Sequence, residues 1–370
     1  MNDRTTRTTI ACVCSTLLAV ILFAPVSRAA PVISWHLSAV HAEQAWTSTR
    51  GAGVTVAVID SGVDAAHPDL DGAVLPGRSY VDAAVDADAP GLALAADRAP
   101  VYEQALARAD PVGHGTAVAG LIAGRPVSGR PGVAPAATIL PVRVLDDQNR
   151  YHDSAMVGDA IRWAVDNGAD VINLSLGGRH GSPAFADAIE YALRHDVLVV
   201  ACTGNQPEED SGEAVWFPAR LPEVLAVTGV DRSGERWPTA VTGPETDLAA
   251  PSANLTVPAA GGGYKEATGT SFASAIVAGA AALVRSAHPE LDAEEVARLL
   301  TATADPAPGA DLGAGVVDAA AAASTDPRSL PPIATGPRPW LSPWPAAAAA
   351  AALAFLCTAA TLFIRRRLPV

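Results

Sequence analysis

Short runs of apolar, largely β-branched residues alternate along this chain with stretches of helical periodicity. Runs that are apolar throughout, and not only at every second position, are typical of strands buried on both faces of a parallel sheet. The predicted strands are Val54–Ile59, Thr138–Leu145, Val171–Leu174, Val197–Ala201 and Val224–Gly229, and the predicted crossover helices are Asp153–Asp166 and Pro183–Arg194. The alternation predicts an α/β fold of three layers, α/β/α, around a mostly parallel central sheet.

The N-terminus carries the pattern of an export signal. Arg4 and Arg7 precede an apolar run over 10–23, which is followed by a proline and a cluster of small residues. This order is that of a secretory signal peptide, and the apolar run is shorter than the about 20 residues that cross a bilayer. We predict a signal peptide over residues 1–30, cleaved at its end, and an N-terminal extension over 31–50.

A second apolar segment, at 346–364, lies near the C-terminus and is long enough to span a membrane as a helix. Three arginines follow it at once in the tail 365–370, and Trp340 and Trp344 precede it, as at a cytoplasmic and an outer interface. We predict one transmembrane helix, with the tail cytoplasmic and the rest of the mature chain extracytoplasmic. The alternatives are a buried alanine-rich helix and a cell-wall sorting signal.

The segment between the domain and this span, residues 325–345, is rich in proline and is predicted to be an extended linker. The whole chain is 49% hydrophobic and 17% charged, which suits a globular α/β protein with apolar targeting segments. The formal net charge is −14 and the chain has a single lysine, Lys265. Because nucleic-acid binding needs clustered basic residues, this balance excludes a nucleic acid as partner.

The four cysteines offer no disulfide. Cys12 and Cys14 lie in the predicted signal peptide and Cys357 in the predicted span, so Cys202 alone remains in the domain. It ends an apolar run, and we predict a small buried hydrophobic residue there and not a reactive thiol.

A carboxylate and a histidine stand at positions where chemistry is often found. Asp60 ends a buried strand, at the carboxyl edge of the predicted sheet, where ligands gather. An aspartate there either caps the following turn or orients a catalytic base. His114 stands between Gly113 and Gly115 at the start of a small-residue helix, which leaves its ring open. This setting suits a general base, whereas the structural interpretation is given to His36, His41, His152, His180, His195 and His288.

A serine and an asparagine follow turns that contain glycine. Ser271 comes after Gly269-Thr and opens an apolar helix, so it is either an N-cap or a nucleophile whose own backbone N–H faces a developing oxyanion. Asn205 follows Gly204 directly after a buried strand. Its amide is either a second oxyanion donor or part of an ordinary Gly-Asn turn.

These four motifs, in the chain order Asp60, His114, Asn205 and Ser271, resemble those of the subtilisin-like serine peptidase family over residues 51–324. The resemblance implies that Ser271 is the nucleophile, His114 the general base and Asp60 the residue that orients it. It also implies an oxyanion hole made of the Asn205 amide and the Ser271 N–H.

A fifth segment, Ser175-Leu-Gly-Gly178, matches the segment of that family that cradles the substrate. The resemblance implies that backbone groups of Ser175, Leu176 and Gly177 pair with an extended substrate as an added strand. The expected activity is serine-type cleavage of internal peptide bonds in protein or peptide substrates.

The layout is similar to that of the mycosins, peptidases that accompany type VII secretion systems of actinobacteria. It comprises a signal peptide, a short extension with Trp35 and Trp46, a peptidase domain, a Pro-rich linker and one span. The resemblance implies a membrane-anchored endopeptidase that works with a type VII secretion membrane complex. The alternatives are a component that mainly braces such a complex and a general degradative subtilase of the cell surface. This chain differs from many mycosins in having no disulfide pair.

Two acidic segments flank the motifs, an insertion over 82–110 and the run Glu208–Glu213. Solvated loops are the favoured interpretation of these segments, and selection of basic substrates is the alternative. No cofactor is predicted, and no metal site is assigned, because the chain has no compact Asp-rich loop of the EF-hand type. Scattered oxygen ligands leave no sequence pattern, so a structural calcium ion stays open.

Overall fold

A computed structural model describes residues 34–81, 99–206, 214–307 and 311–330. The predicted signal peptide, the membrane span, the tail and most of the linker lie outside the described residues, as does the run Glu208–Glu213. The strands are β1 Thr55–Asp60, β2 Arg78–Ser79, β3 Thr138–Arg143, β4 Val171–Leu174, β5 Leu198–Cys202, β6 Leu225–Val230, β7 Leu248–Pro251, β8 Leu255–Pro258 and β9 Tyr264–Ala267. The helices are α1 Trp35–Ala39, α2 Ala42–Ala45, α3 Ala99–Ala107, α4 His114–Ala123, α5 Ser154–Asp166, α6 Pro183–Arg194, α7 Thr270–Ala287, α8 Ala293–Ala302 and α9 Ala319–Ser324.

The strands β1 to β7 form one parallel sheet in the order β2-β3-β1-β4-β5-β6-β7, and β8 and β9 form a separate antiparallel hairpin. The predicted α/β fold around a parallel sheet is confirmed. All five predicted strands and both predicted crossover helices are present, with small differences at their ends. The side chains of Asp153 and Ser182 accept hydrogen bonds from backbone N–H groups at the starts of α5 and α6, which explains where these helices begin.

Both faces of the sheet are covered by helices. Along β1, Val56 and Val58 belong to one apolar cluster, which also contains the inner faces of α4, α7 and α8. Ala57 and Ile59 belong to the other cluster, against α5 and α6. Because successive side chains of a strand point to opposite faces, a strand that is apolar throughout serves both layers.

The N-terminal extension is part of this core. Leu37 and Val40 of the α1 region are buried in the first cluster, and the backbone oxygen of Val40 accepts a 2.9 Å hydrogen bond from the N–H of Ala319 on α9. The indole N–H of Trp46 donates to the backbone oxygen of Val133 at 2.8 Å. The extension therefore packs on the domain from residue 34 onward.

Within the described residues, one helix is long and apolar enough to cross a membrane, and this is α7. It is the central helix of the first cluster, and 89% of its apolar window is buried inside the domain. Its burial is that of a core helix. The predicted span at 346–364 stays a prediction.

Candidate active site

The carboxyl ends of three neighbouring strands meet at the site. Asp60 ends β1, Ser175 follows β4 and Asn205 follows β5, and these strands lie side by side in the sheet. His114 is the first residue of α4, and Ser271 is the second residue of α7. The five residues come together at one edge of the sheet, where ligands of open α/β sheets bind.

Asp60 and His114 form a pair in which the carboxylate is buried and the imidazole is partly exposed. The carboxylate of Asp60 is fully buried, and its Oδ1 lies 2.8 Å from Nδ1 of His114 and accepts a 2.7 Å hydrogen bond from the N–H of Ser61. Burial lowers the pKa of His114, but the charge and hydrogen bond of Asp60 and the charge of Asp110 outweigh it, so the pKa is raised. Since Nδ1 faces Asp60, Nε2 is the ring nitrogen left for the cleft.

Asp110 holds the start of α4 in place. Its Oδ1 accepts hydrogen bonds from the hydroxyl of Ser61 and the N–H of Gly113, both at 2.8 Å. Its Oδ2 accepts from the N–H and hydroxyl of Thr116 at 2.8 and 2.7 Å. Sequence reasoning placed Asp110 in the acidic insertion, but the residue is buried and acts as an anchor for the turn that carries His114. No local sequence pattern distinguishes it from the other aspartates of the insertion.

The glycine after His114 is required by close packing. A Cβ on Gly115 would lie 2.0 Å from the backbone oxygen of Gly62 and 3.2 Å from the side chain of Asp60. The backbone of α4 therefore rests directly on the turn that follows β1. This contact sets the short distance between the carboxylate and the imidazole.

Ser271 lies at the cleft with little exposure, and its hydroxyl donates to the backbone oxygen of Ser175 at 3.2 Å. Among the residues that the structure describes, no hydrogen bond joins the Ser271 hydroxyl to His114. The hydroxyl of Ser175 donates to the backbone oxygen of Ser271 at 2.8 Å and accepts from the amide of Asn173 at the same distance. The segment after β4 therefore fixes the first turn of α7.

The side chain of Asn205 has a fixed orientation. Its Oδ1 accepts hydrogen bonds from the N–H of Thr270 at 2.9 Å and from the Thr270 hydroxyl at 3.1 Å. The amide Nδ2 is thereby directed the other way, and it lies 3.7 Å from where a Cβ on Gly269 would be. Thr270, which sequence reasoning did not single out, is the residue that orients this amide. Its position between Gly269 and Ser271 gave no sign of that contact.

A cleft of about 520 Å³ opens beside His114 and Ser271. The predicted segment of Ser175, Leu176 and Gly177 lines it. Within the described part of the chain, the backbone groups of Leu176 and Gly177 have no hydrogen-bond partner, so they are available to an added strand. None of the described residues of the extension lines the cleft.

The predicted buried character of Cys202 is confirmed. The residue ends β5, is 4% exposed and lies at the base of the cleft, with its Sγ 4.0 Å from the hydroxyl oxygen of Ser271. Burial raises the pKa of the thiol to about 11. The thiol is therefore protonated at neutral pH and is a poor nucleophile.

One group of histidine and carboxylate side chains lies together away from the cleft. In the part of the chain that the structure describes, His41, Asp305 and Asp318 bring their ligand atoms within 4.8 Å of one another. Nδ1 of His41 lies 2.9 Å from the carboxylate of Asp318, which also caps α9. We interpret the group as an ion-pair cluster between the extension and α9.

Comparison with known protein families gives one match that covers most of the chain. The family model Peptidase S8, described as the subtilase family, matches residues 51–323. Subtilisin E of Bacillus subtilis (strain 168) is 38% identical over 255 residues, which is 69% of this chain and 61% of that protein. The chain thus spans about three fifths of the length of this curated relative.

Solved structures of the mycosins have the same fold. The MycP3 protease from the type VII (ESX-3) secretion system matches with a TM-score of 0.65 and 31% identity, over 81% of this chain and 90% of that one. MycP1 from Mycobacterium smegmatis matches with a TM-score of 0.68 and 27% identity, over 85% of this chain and 91% of that one. Both resemblances that the motifs and the layout predict are confirmed.

Proposed function

Because this chain belongs to the subtilase family, we propose that it is a serine endopeptidase with Ser271 as nucleophile, His114 as general base and Asp60 as the residue that orients His114. The observation that carries the proposal is the Asp60–His114 pair, in which Nδ1 faces the buried carboxylate and the second ring nitrogen is left for the cleft that Ser271 also lines. A neutral imidazole held by a carboxylate accepts a proton from a serine hydroxyl and stabilises the charge that it gains.

Acylation begins when the Ser271 hydroxyl turns from the backbone oxygen of Ser175 toward Nε2 of His114. The serine oxygen attacks the carbonyl carbon of the peptide bond while its proton passes to Nε2. His114 then gives this proton to the leaving amine, and an ester of Ser271 remains. Water attacks the ester by the same route in reverse, and the acid product leaves.

The negative charge on the attacked oxygen needs donors that are already in place. The backbone N–H of Ser271 lies in the first turn of α7, and Nδ2 of Asn205 is directed away from Thr270. We assign both to the oxyanion hole. Removal of one such donor typically lowers kcat by about 10²–10³-fold.

The proposed substrate is an extended stretch of polypeptide. The free backbone groups of Leu176 and Gly177 suit main-chain pairing with such a stretch, which gives affinity without fixing the sequence. Loops and tails adopt this form readily, whereas folded cores do not. The proposal is therefore cleavage of internal bonds in exposed segments.

Labelling of the full-length chain in detergent by a fluorophosphonate tests the assignment. We expect labelling of the wild type, none for Ser271→Ala and strongly slowed labelling for His114→Ala. Ser286→Ala on the same helix is the matched control, since this half-buried serine bonds to the backbone oxygen of Ala52 and does not line the cleft. Equal labelling of all four proteins would refute the triad.

The cellular role is the second part of the proposal. The mycosin neighbours, the predicted signal peptide and the predicted span at 346–364 support an endopeptidase anchored in the cell membrane with its domain outside. We propose that it processes proteins exported by, or associated with, a type VII secretion complex.

Comparison of cells that carry the wild type, a deletion or Ser271→Ala tests this role. Sequencing the N-termini of the exported proteins would identify the substrate and the cleaved bond, and cells with Ser286→Ala serve as control. If export fails in the deletion but continues in Ser271→Ala cells, the chain mainly braces the complex and its cleavage is dispensable for export. Unchanged N-termini in the deletion would overturn the processing role.

A further inference from the structure

Trp216 occupies a position in the cleft that the proposed mechanism does not use. It lines the cleft together with Gly204, Asn205 and the segment of Leu176 and Gly177. Its indole carbons lie 2.4, 2.7 and 2.8 Å from where a Cβ on Gly204 would be, so the ring packs flat against the backbone next to Asn205. Only glycine at 204 leaves room for this ring.

The indole lies between two walls of the cleft. On the other side, a Cβ on Gly177 would lie 3.7 Å from the Cβ of Trp216 and 2.6 Å from the backbone oxygen of Phe217. The side chain of Trp216 therefore starts beside the segment at 175–177 and lies with its ring against the turn at 203–205, so it occupies space between these two walls. A side chain that enters between these walls meets the indole.

The backbone that carries this ring is held from both sides. The N–H of Trp216 donates to the backbone oxygen of Thr203 at 3.0 Å. Phe217 exchanges two backbone hydrogen bonds with Gly178, at 2.8 and 2.9 Å. A large displacement of Trp216 would break contacts to both walls, so the ring is a fixed part of the cleft.

The geometry of the substrate links this position to specificity, an inference that rests on the proposed function. The carbonyl oxygen of the cleaved bond must face Nδ2 of Asn205, and the preceding backbone must run along Leu176 and Gly177. The side chain of the residue just before the cleaved bond is attached next to that carbonyl carbon. It must therefore point between the two walls, toward the indole of Trp216.

We propose that Trp216 fills the primary specificity pocket and restricts the residue before the cleaved bond to small ones, glycine, alanine or serine. Forcing a large side chain into an occupied, well-packed site requires displacement of its neighbours. The enzyme thus selects its bonds by exclusion, while the backbone contacts bind any extended sequence. The rest of the cleft, toward Leu145 and Tyr151, remains open to residues further from the bond.

Peptidyl diphenyl phosphonates test this directly in the full-length chain in detergent. Two probes differ only in the side chain next to phosphorus, methyl as in alanine or benzyl as in phenylalanine. The oxygen of Ser271 bonds to phosphorus, a phenoxide leaves, and the serine proton passes through His114 to the phenoxide. We expect the wild type to react at least about 100-fold faster with the methyl probe.

Trp216→Gly should lower this ratio by at least about tenfold, because the benzyl group gains the space of the indole. The ratio is measured within each preparation, so a smaller folded fraction does not affect it. Trp216→Phe should give an intermediate ratio and covers the case in which the glycine variant does not fold. Trp163→Ala on α5, outside the cleft, is the matched control and should keep the wild-type ratio.

A fluorophosphonate without a side chain separates the two hypotheses. If it labels Ser271 but the wild type reacts equally fast with both phosphonates, or prefers the benzyl probe, the pocket assignment is wrong and the peptidase assignment stands. An unchanged ratio in both Trp216→Gly and Trp216→Phe would also show that the pocket assignment is wrong while the peptidase assignment stands. If no probe labels the wild type, the proposed function fails and the pocket assignment fails with it.

Discussion

Two histidines of this molecule lie largely out of solvent, His36 almost completely and His114 with 17% of its side chain exposed at the cleft, and they differ in what surrounds them. His36 lies on α1 of the extension, 2% exposed, and neither ring nitrogen has a hydrogen-bond partner. His114 lies on α4 against the carboxylate of Asp60, 2.8 Å away. Burial lowers the pKa of His36 to about 4, whereas the pKa of His114 is raised.

The difference shows why His114, and not His36, suits the proposed role of general base. Desolvation disfavours the charged ring in both places. At His114 the charges of Asp60 and Asp110 outweigh the desolvation, so the imidazole gains a proton more readily than a free histidine does. At His36 nothing offsets the desolvation, and the ring stays neutral. The pairing carboxylate, more than the burial, defines the site.

The largest effect is expected for Asp60→Asn, which removes the charged partner of His114 but leaves the ring desolvated. The pKa of His114 should fall, because burial remains and the largest raising contribution is gone. The amide also presents an N–H to Nδ1, which moves the ring proton to Nε2, where it faces the serine. We expect kcat/KM for a peptide substrate to fall by about 10⁴-fold.

Asp64→Asn is the control for this change. Asp64 accepts hydrogen bonds from the N–H groups of Ala66 and Gly261 and does not contact His114. Peptide hydrolysis should remain close to that of the wild type, and imidazole ¹⁵N shifts would report the tautomer in both variants. Full activity in Asp60→Asn would show that the pair is structural.

The buried, unpaired ring of His36 predicts that the stability of the folded chain depends on pH. The pKa of His36 is about 4 in the folded chain and 6.5 in the unfolded one. The unfolded chain therefore binds a proton first as the pH falls, so stability is lost below pH 6.5 and the loss is complete near pH 4. Linkage between protonation and folding predicts that the free energy of unfolding falls by about 2 kcal/mol between pH 7 and pH 5 because of His36.

His36→Leu removes this group and should flatten that part of the profile. Urea unfolding of the full chain in detergent, followed by tryptophan fluorescence at pH 7 and pH 5, measures the difference. His180→Gln is the control, because His180 is exposed and should not alter the pH dependence. If His36→Leu loses as much stability as the wild type on acidification, His36 is not neutral and desolvated in the folded protein.

The parts of the fold that sequence predicted well depend on local patterns. The strand β4 is apolar except for Asn173 and is bounded as expected, and α6 begins as expected, with Ser182 as its cap and Pro183 at its start. The hairpin of β8 and β9 was not predicted. Its second strand, Tyr-Lys-Glu-Ala, is largely exposed and has neither alternation nor an apolar run to mark it.

The candidate site likewise has residues that local sequence patterns predicted and residues that they did not. The motifs around Asp60, His114 and Ser271 predicted which residues meet, because each stands at the end of a recognisable element. Their supports could not be predicted. Asp110 acts on Ser61 across 49 residues of chain, and Thr270 acts on Asn205 across 65. Such contacts are made by the folded chain and leave no mark in the local sequence.

The smallest expected effect concerns Lys265, the single lysine, which lies on β9 with its Nζ 3.2 Å from where a Cβ on Gly113 would be. Its charge lowers the pKa of His114 and so opposes Asp60 and Asp110. The protonated imidazole cannot accept the serine proton, so activity is lost as the pH falls through this pKa. The acid limb of kcat/KM should therefore have its midpoint above pH 6.5 in the wild type and at higher pH in Lys265→Met.

A matched variant separates this charge from a general change at the hairpin. Arg130→Met removes a cation that stacks on Tyr264, the neighbour of Lys265, and that is not among the charges acting on His114. It should leave the midpoint where it is. Because Lys265 is exposed, salt should screen its effect and bring the Lys265→Met profile toward that of the wild type. A midpoint that Lys265→Met leaves unmoved at low salt would mean that Asp60 and Asp110 alone set the His114 pKa against burial.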